Sequence, residues 1–200
     1  MSTTELAPTK VSVPKGHRIG SPIHSLQHKF LPIPHLPEET EMLPAGAVTF
    51  GIEARIFVTP NGEVSIRGAS IHVFDTETQE EFIRFDGFGP RGHYHYLHPT
   101  SQTNELLGFD DAANGDFYEW AIASLRARMA QMLRKAGAEA LARKIETQGF
   151  MTEVLDRLPG SIERALKRSN PGTDMVVATN RWHERWKRIH PQFDTYGDEL

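Results

Sequence analysis

The stretch Gly92-His93-Tyr94-His95-Tyr96-Leu97-His98-Pro99 sets three imidazoles and two phenols into six consecutive residues. Imidazole is the commonest protein metal ligand and the side chain that titrates closest to neutral pH. On a strand, His93 and His95 project from one face and Tyr94 and Tyr96 from the other. Two histidines one residue apart make a pair suited to zinc, iron, nickel or copper, with a third ligand supplied by a neighbouring strand. His72 or Asp86 is placed to supply it. His98 precedes Pro99 and leaves the strand, so its direction stays open. The metal candidates are therefore His93, His95, His72 and His98, with zinc or iron as representative divalent ions, and a bound metal would activate water or oxygen. The competing reading is a polar patch whose imidazoles hydrogen-bond to Asp86, to backbone or to water.

Asp86 beside a histidine also makes an acid/base pair. A carboxylate orients an imidazole and raises its pKa, which suits proton transfer near neutrality. Arg84, two residues earlier, has the fork that binds a carboxylate or phosphate bidentately. The catalytic candidates are then His93, His95, Asp86 and Arg84. The ordinary alternative for the acid and the arginine is a cross-strand ion pair of about 0.2–1 kcal/mol.

Other patterns carry less. His24 and His28 have a helical ligand spacing, but Pro22 and Pro32 leave little room for a helix. Gly87, Gly89 and Gly92 have the look of a phosphate loop, yet no helix follows them to supply its dipole. Nucleophile elbows, His-Glu-x-x-His helices and Walker sequences are absent. Trp182-His183-Glu184-Arg185-Trp186-Lys187-Arg188 is basic and amphipathic, and Trp with Arg is the composition of interface hot spots. Ile23 and Phe30 in the N-terminal segment, with Trp182 and Trp186, are the candidate partner-binding residues.

The elements that must position the histidines follow from periodicity. Val48, Phe50, Ile52, Ala54, Ile56 and Val58 alternate as in a half-buried strand. Pro60-Asn61-Gly62 is a hairpin signal. The next strand shifts phase at Gly68-Ala69, which predicts a bulge there. After a turn at Asp75–Gln79 comes a strand over Phe82–Asp86, then a turn, then the histidine strand. Centring the hairpin on Glu77 pairs Ile71 with Ile83 and Ala69 with Phe85. Ser70, His72, Phe82, Arg84 and Asp86 then share the opposite face. A slip of one residue would flip every side chain. Burying two unpartnered imidazoles costs more than burying two phenol rings, so Tyr94 and Tyr96 should join the apolar face and His93 and His95 should join His72, Arg84 and Asp86.

Beyond Gly108 the pattern is helical. Asp116 and Glu119 form an N-cap pair, Ile122, Leu125, Met129, Leu133 and Ala136 make the stripe, and Gly137 closes the helix. Ala138–Gln148 is a second helix. A third from Thr152 is interrupted at Pro159-Gly160, and Asn180 caps a last one. The fold class expected is α+β: an antiparallel sheet of about four strands (47–98) packed by C-terminal helices (116–190). Residues 1–46, with seven of the thirteen prolines, form an extended arm. The division expected is arm 1–46, domain 47–171, and C-terminal helix and tail 172–200.

Two hundred residues suit one such domain. The absence of cysteine removes disulfides, thiolate metal sites and cysteine nucleophiles. No transmembrane run or signal-peptide core is visible, so a cytoplasmic location and no membrane partner are the expectation. Net charge is −4, but residues Ala121–His190 carry fourteen Lys/Arg against seven Asp/Glu. Opposite halves of this kind dock on each other or on charged partners, nucleic acid being the weaker candidate.

Phe82-Ile83-Arg84-Phe85-Asp86 followed by His93-Tyr94-His95-Tyr96 resembles uncharacterised bacterial domains with an RFD…HYHY core. The likeness covers roughly residues 48–145. It implies a compact bacterial α+β domain and no particular activity. With the apolar, Pro-rich arm and the Trp/Arg tail outside it, the leading expectation is an accessory or structural subunit of a larger soluble bacterial assembly, binding another subunit or a second copy. A small metal-dependent enzyme with its site on the sheet is the second expectation. Nucleic-acid binding through the basic helices is the third.

Overall fold

The computed structural model describes residues 26–28, 35–58, 64–88 and 92–169. Its strands are β1 (Leu26–His28), β2 (Thr40–Ala45), β3 (Val48–Val58), β4 (Val64–Asp75), β5 (Glu81–Phe88), β6 (His93–His98) and β7 (Thr103–Gly108). Six of them run as one antiparallel meander from Thr40 to Gly108, and the three-residue β1 pairs with β7. The order is β1-β7-β6-β5-β4-β3-β2. The sheet is therefore wider than the four strands expected. β2 lies inside the Pro-rich segment, and it tolerates Pro44 because it is the sheet's edge strand, where a missing N–H leaves no ladder bond unmade. β7 reads Thr-Asn-Glu-Leu-Leu-Gly, which does not alternate.

The side-chain parity of the central strands is as expected, with a two-residue offset. Ile71 pairs with Phe85, Ala69 with Gly87 and Val73 with Ile83. One residue of the offset comes from the turn, where Phe74 pairs with Glu81, and one from the register shift between Val73 and Phe74. Past that shift the parity reverses: Glu81 joins His72 on the polar side, and Phe82, expected there, packs against the apolar core. From Ile83 to Asp86 the even offset keeps every side chain on its side. The β3–β4 ladder runs unbroken through Gly68 and Ala69 and shifts at Phe57/Val58 instead, so the bulge is not where the phase change placed it. The hairpin turn at Pro60-Asn61-Gly62 lies outside the described residues.

Four helices follow: α1 (Asp111–Asn114), α2 (Phe117–Lys135), α3 (Glu139–Gln148) and α4 (Leu158–Arg168), with a 3-10 turn at Thr152–Arg157. Asp116 caps α2 by accepting from the N–H groups of Tyr118 and Glu119, which satisfies two of the orphan donors of a helix start. Gly137 and Gly149 take positive φ beyond α2 and α3. Pro159-Gly160 does not interrupt a helix. It sits in the first turn of α4, where the missing proline N–H has no intrahelical role.

One apolar layer joins sheet to helices. Phe50, Ile52, Ala54, Ala69, Ile71, Val73, Ile83 and Phe85 meet Leu125, Met129, Leu133, Leu141, Ile145, Leu155, Leu158 and Ile162, all buried. Burial of such side chains contributes roughly 1.5–3 kcal/mol each. Two glycines admit α2 onto this face. A Cβ on Gly87 would lie 2.2 Å from the Tyr118 hydroxyl, and one on Gly92 would lie 2.3 Å from the Phe117 ring. Gly87 and Gly92 thus make room for α2 on this face.

Candidate metal centre

The opposite face of the sheet is also buried, and it is polar. Glu53, Ser70, His72, Arg84 and Asp86 are each 2% exposed or less, and Arg55, His93, His95 and Asn104 are buried beside them. The register builds this layer row by row. Glu53 pairs with Ser70, Ser70 with Asp86, and Asp86 with His93. In the next row His72 pairs with Arg84 and Arg84 with His95. Tyr94 and Tyr96 pair with Phe85 and Ile83 on the helix side, where Tyr94 lies 5.1 Å from the Trp120 ring centroid. The imidazoles and phenols therefore take the faces expected. The rings on the core side are only half-buried, however, whereas the imidazoles are fully enclosed. What makes that tolerable is partnership, since a buried polar group is costly chiefly when unpaired.

The layer divides into two clusters. In the first, His72 bridges two carboxylates, with Nδ1 2.6 Å from Glu81 Oε1 and Nε2 3.2 Å from Glu53 Oε2. Arg84 donates to Glu81 through Nε at 2.7 Å and Nη2 at 2.6 Å. Arg55 Nε donates to Glu53 at 2.6 Å, and the Leu36 N–H donates to its other oxygen at 2.8 Å. Burial by itself would raise the Glu53 pKa, but Arg55, His72 and the Leu36 N–H outweigh it and hold the carboxyl at about 2. Burial likewise opposes charge on His72, yet Glu81 and Glu53 raise its pKa above the ordinary value. His35, packed 5.6 Å from His72 between ring centroids, is lowered to about 4 by burial and by the His72 charge.

The second cluster holds Asp86, His93 and His95, one ligand atom from each lying within 4.8 Å of the others. Asp86 Oδ2 stands 3.4 Å from His93 Nε2 and 3.2 Å from His95 Nε2. Charge-assisted hydrogen bonds draw in to about 2.7–2.9 Å. Ligands held about 2.0–2.1 Å from a tetrahedral ion stand about 3.3–3.4 Å apart. The observed separations fit that edge and also fit long imidazole–carboxylate hydrogen bonds. The surroundings orient the three groups. Ser70 Oγ donates to Asp86 Oδ1 at 2.5 Å. His95 Nδ1 lies 2.9 Å from Asn104 Oδ1, which orients the ring with Nε2 toward Asp86. His93 Nδ1 is the buried side-chain atom that has no hydrogen-bond partner among the described residues. That imidazole is held at its Nε2 end.

Of the other sequence candidates, Arg84 neighbours His95 but is committed to Glu81. His72 shares the face but lies in the first cluster, outside the ligand group, because both its nitrogens are taken by glutamates. His98 is excluded by parity: it follows Tyr94 and Tyr96 to the helix side, where its ring faces Gly137. Ile23, Phe30, Trp182 and Trp186 lie outside the described residues, as do His24, the span Gly89–Arg91 and the helix expected from Asn180. Asn104, Glu53 and Glu81 were not singled out from sequence, and Ser70 was placed on this face by parity without a role.

The helices' cations are largely answered by acids of the same chain. Lys135 meets Glu105 at 2.7 Å and Arg164 meets Glu41 at 2.7 Å, while Arg168 pairs with Glu39 and Arg134 with Glu146. Three of these four pairs join the basic stretch to acids outside it. Among the described residues, no helix is long and apolar enough to cross a membrane.

Fold and site together define an α+β domain whose meander sheet carries helices on one face and a buried His/Asp/Glu/Arg layer on the other. The chain belongs to the family described as a domain of unknown function, DUF7700, which matches residues 42–160. That span takes in β3 to β7 whole and every member of the Asp86–His93–His95 group. No curated protein and no solved structure matches the chain significantly.

Proposed function

We propose that this protein is a divalent-metal-binding domain whose protein ligands are Asp86, His93 and His95. The observation that carries the reading is the convergence of the three ligand atoms within 4.8 Å, with nitrogen–oxygen separations of 3.2 and 3.4 Å. Two imidazoles and a carboxylate suit zinc or iron and leave coordination positions for a further ligand. Asn104 and Ser70 supply the outer contacts that such ligands need for orientation. The accessory-subunit expectation rests on residues outside the described part of the chain, so the geometry favours the metal reading.

The test is metal content and titration. Chelator-stripped protein should take up about one zinc or cobalt ion per chain, and His93→Ala and His95→Ala should each lose it while keeping the far-ultraviolet circular dichroism of the parent. Uptake that persists unchanged in both variants would sink the assignment.

A further inference from the structure

The sheet rung next to the Ser70–Asp86 pair is bridged by a side chain. Ala69 and Gly87 are partners in the β4–β5 ladder, and Ser70 and Asp86 are the adjacent pair. The Tyr118 hydroxyl reaches this rung from α2, on the helix side. It accepts from the Ala69 N–H at 3.1 Å and shares its one proton between the Gly87 carbonyl at 2.9 Å and the Ala69 carbonyl at 3.2 Å. Asp86 is bonded directly to Gly87, and its carboxylate points from the other face of the sheet toward His93 and His95. Ser70, bonded to Ala69, donates to that carboxylate at 2.5 Å. Burial, joined by the Asp86 charge, outweighs the Ala69 hydrogen bond and pushes the Tyr118 phenol up to about 12. The hydroxyl therefore keeps its proton at neutral pH and serves as donor and acceptor together.

We propose that Tyr118 is a positioning residue for the metal centre, its hydroxyl setting the separation of Ala69 and Gly87 and thereby the place of the Asp86 carboxylate opposite His93 and His95. The inference rests on the metal reading above. A direct ladder bond holds N and O about 2.9–3.0 Å apart. Here the link runs through an intervening oxygen, over contacts of 3.1 and 2.9 Å. Removing that oxygen leaves a donor and an acceptor facing a gap, and the cost of leaving them unpaired draws the strands together or admits water. Both responses move Gly87, and with it the residue bonded to it. Metal ligands have little slack, since a fitting site holds its distances within about 0.2 Å. Tyr118 thus acts on the ion through the backbone of β5, with Asp86 as the intermediary.

Cobalt(II) is titrated into the chelator-stripped full chain, following visible absorption, for the parent, Tyr118→Phe and Ile162→Val. Tyr118→Phe keeps the ring and removes only the bridging oxygen. Ile162→Val loosens the buried helix side without touching the rung. Tyr118→Phe should still bind cobalt at saturation, with shifted visible bands and an affinity lowered about 10–100-fold, the scale of losing an outer contact. Ile162→Val should keep the parent's affinity and bands. Parent-like affinity and bands in Tyr118→Phe would overturn the proposal, and so would equal losses in both variants, the mark of general loosening. Should Tyr118→Phe fail to fold, the parent decides: zinc should shift the amide resonance of Ala69, and a signal that ignores zinc would overturn the proposal. A parent that binds no cobalt removes the metal centre and this inference with it.

Discussion

His95 Nδ1 lies 2.9 Å from the Asn104 side-chain oxygen across the β6–β7 ladder. That contact fixes the ring with its Nε2 toward Asp86. Removing it should lower metal affinity about 10–100-fold, the usual cost of losing an outer contact. Asn104→Ala should show this by competition against a chromophoric chelator, with cobalt still bound at saturation. Affinity equal to that of the parent would mean Asn104 does not orient the ring.

Glu81 answers Arg84 with two hydrogen bonds and His72 with one. Glu81→Gln removes the charge while leaving Arg84 in a nearly dry site. Breaking one side of such a pair costs about 3–5 kcal/mol, so the urea midpoint should fall steeply. Replacing both partners, as in Glu81→Gln with Arg84→Met, should cost less than the sum of the two single changes. Additive losses would show that the pair is not coupled.

Stability should fall on both sides of neutrality, for opposite reasons. The folded-state pKa of Glu53 is depressed to about 2 from 4.5, so its contribution is present above pH 4.5 and is lost as pH falls toward 2. The folded-state pKa of His72 is raised above 6.5, so its contribution is full below 6.5 and is lost as pH rises through the folded value. The stability gap between the parent and Glu53→Gln should therefore close between about pH 4.5 and 2. The gap to His72→Gln should close on the alkaline side. Denaturant midpoints measured across pH would show both limbs, and gaps that stay constant with pH would contradict them.

Gly87 and Tyr118 occupy space that two full side chains cannot share. A Cβ at 87 would fall 2.2 Å from the Tyr118 hydroxyl and 2.3 Å from Cζ. Gly87→Ala should destabilise by about 1–3 kcal/mol, the scale of overpacking. In a Tyr118→Ala background the same change should cost little more. Equal penalties in both backgrounds, read by thermal or denaturant unfolding, would place the strain elsewhere.

Strand parity was legible because period two is insensitive to an even pairing offset. Ile71 opposite Ile83 and Ile71 opposite Phe85 put the same residues on the same sides, so His93, His95 and Asp86 could be brought together without the register being right. The burial of that face was not legible. Nothing in the residue types of Glu53, Arg55, Glu81 and Arg84 announces an interior, and it is their pairing that lets them be enclosed. The outer strands were hidden for local reasons. Pro44 argues against a strand unless the strand is an edge, and Glu105 breaks the alternation of β7 because it turns to Lys135 on α2. His98 was misplaced as a ligand candidate because the strand continues through it, so that parity carries it to the helix side.

Asp86, His93 and His95 lie on one hairpin, ten residues from first to last. The clip that would hold the ion is thus a local device, set by the span of a single turn and, Tyr118 aside, largely indifferent to the helices behind the sheet. Other helix-side substitutions are free to drift so long as the layer stays packed. An insertion or deletion of one residue between β5 and β6 would instead swap imidazoles for phenols, dismantling the coordination set and wetting the core in the same stroke.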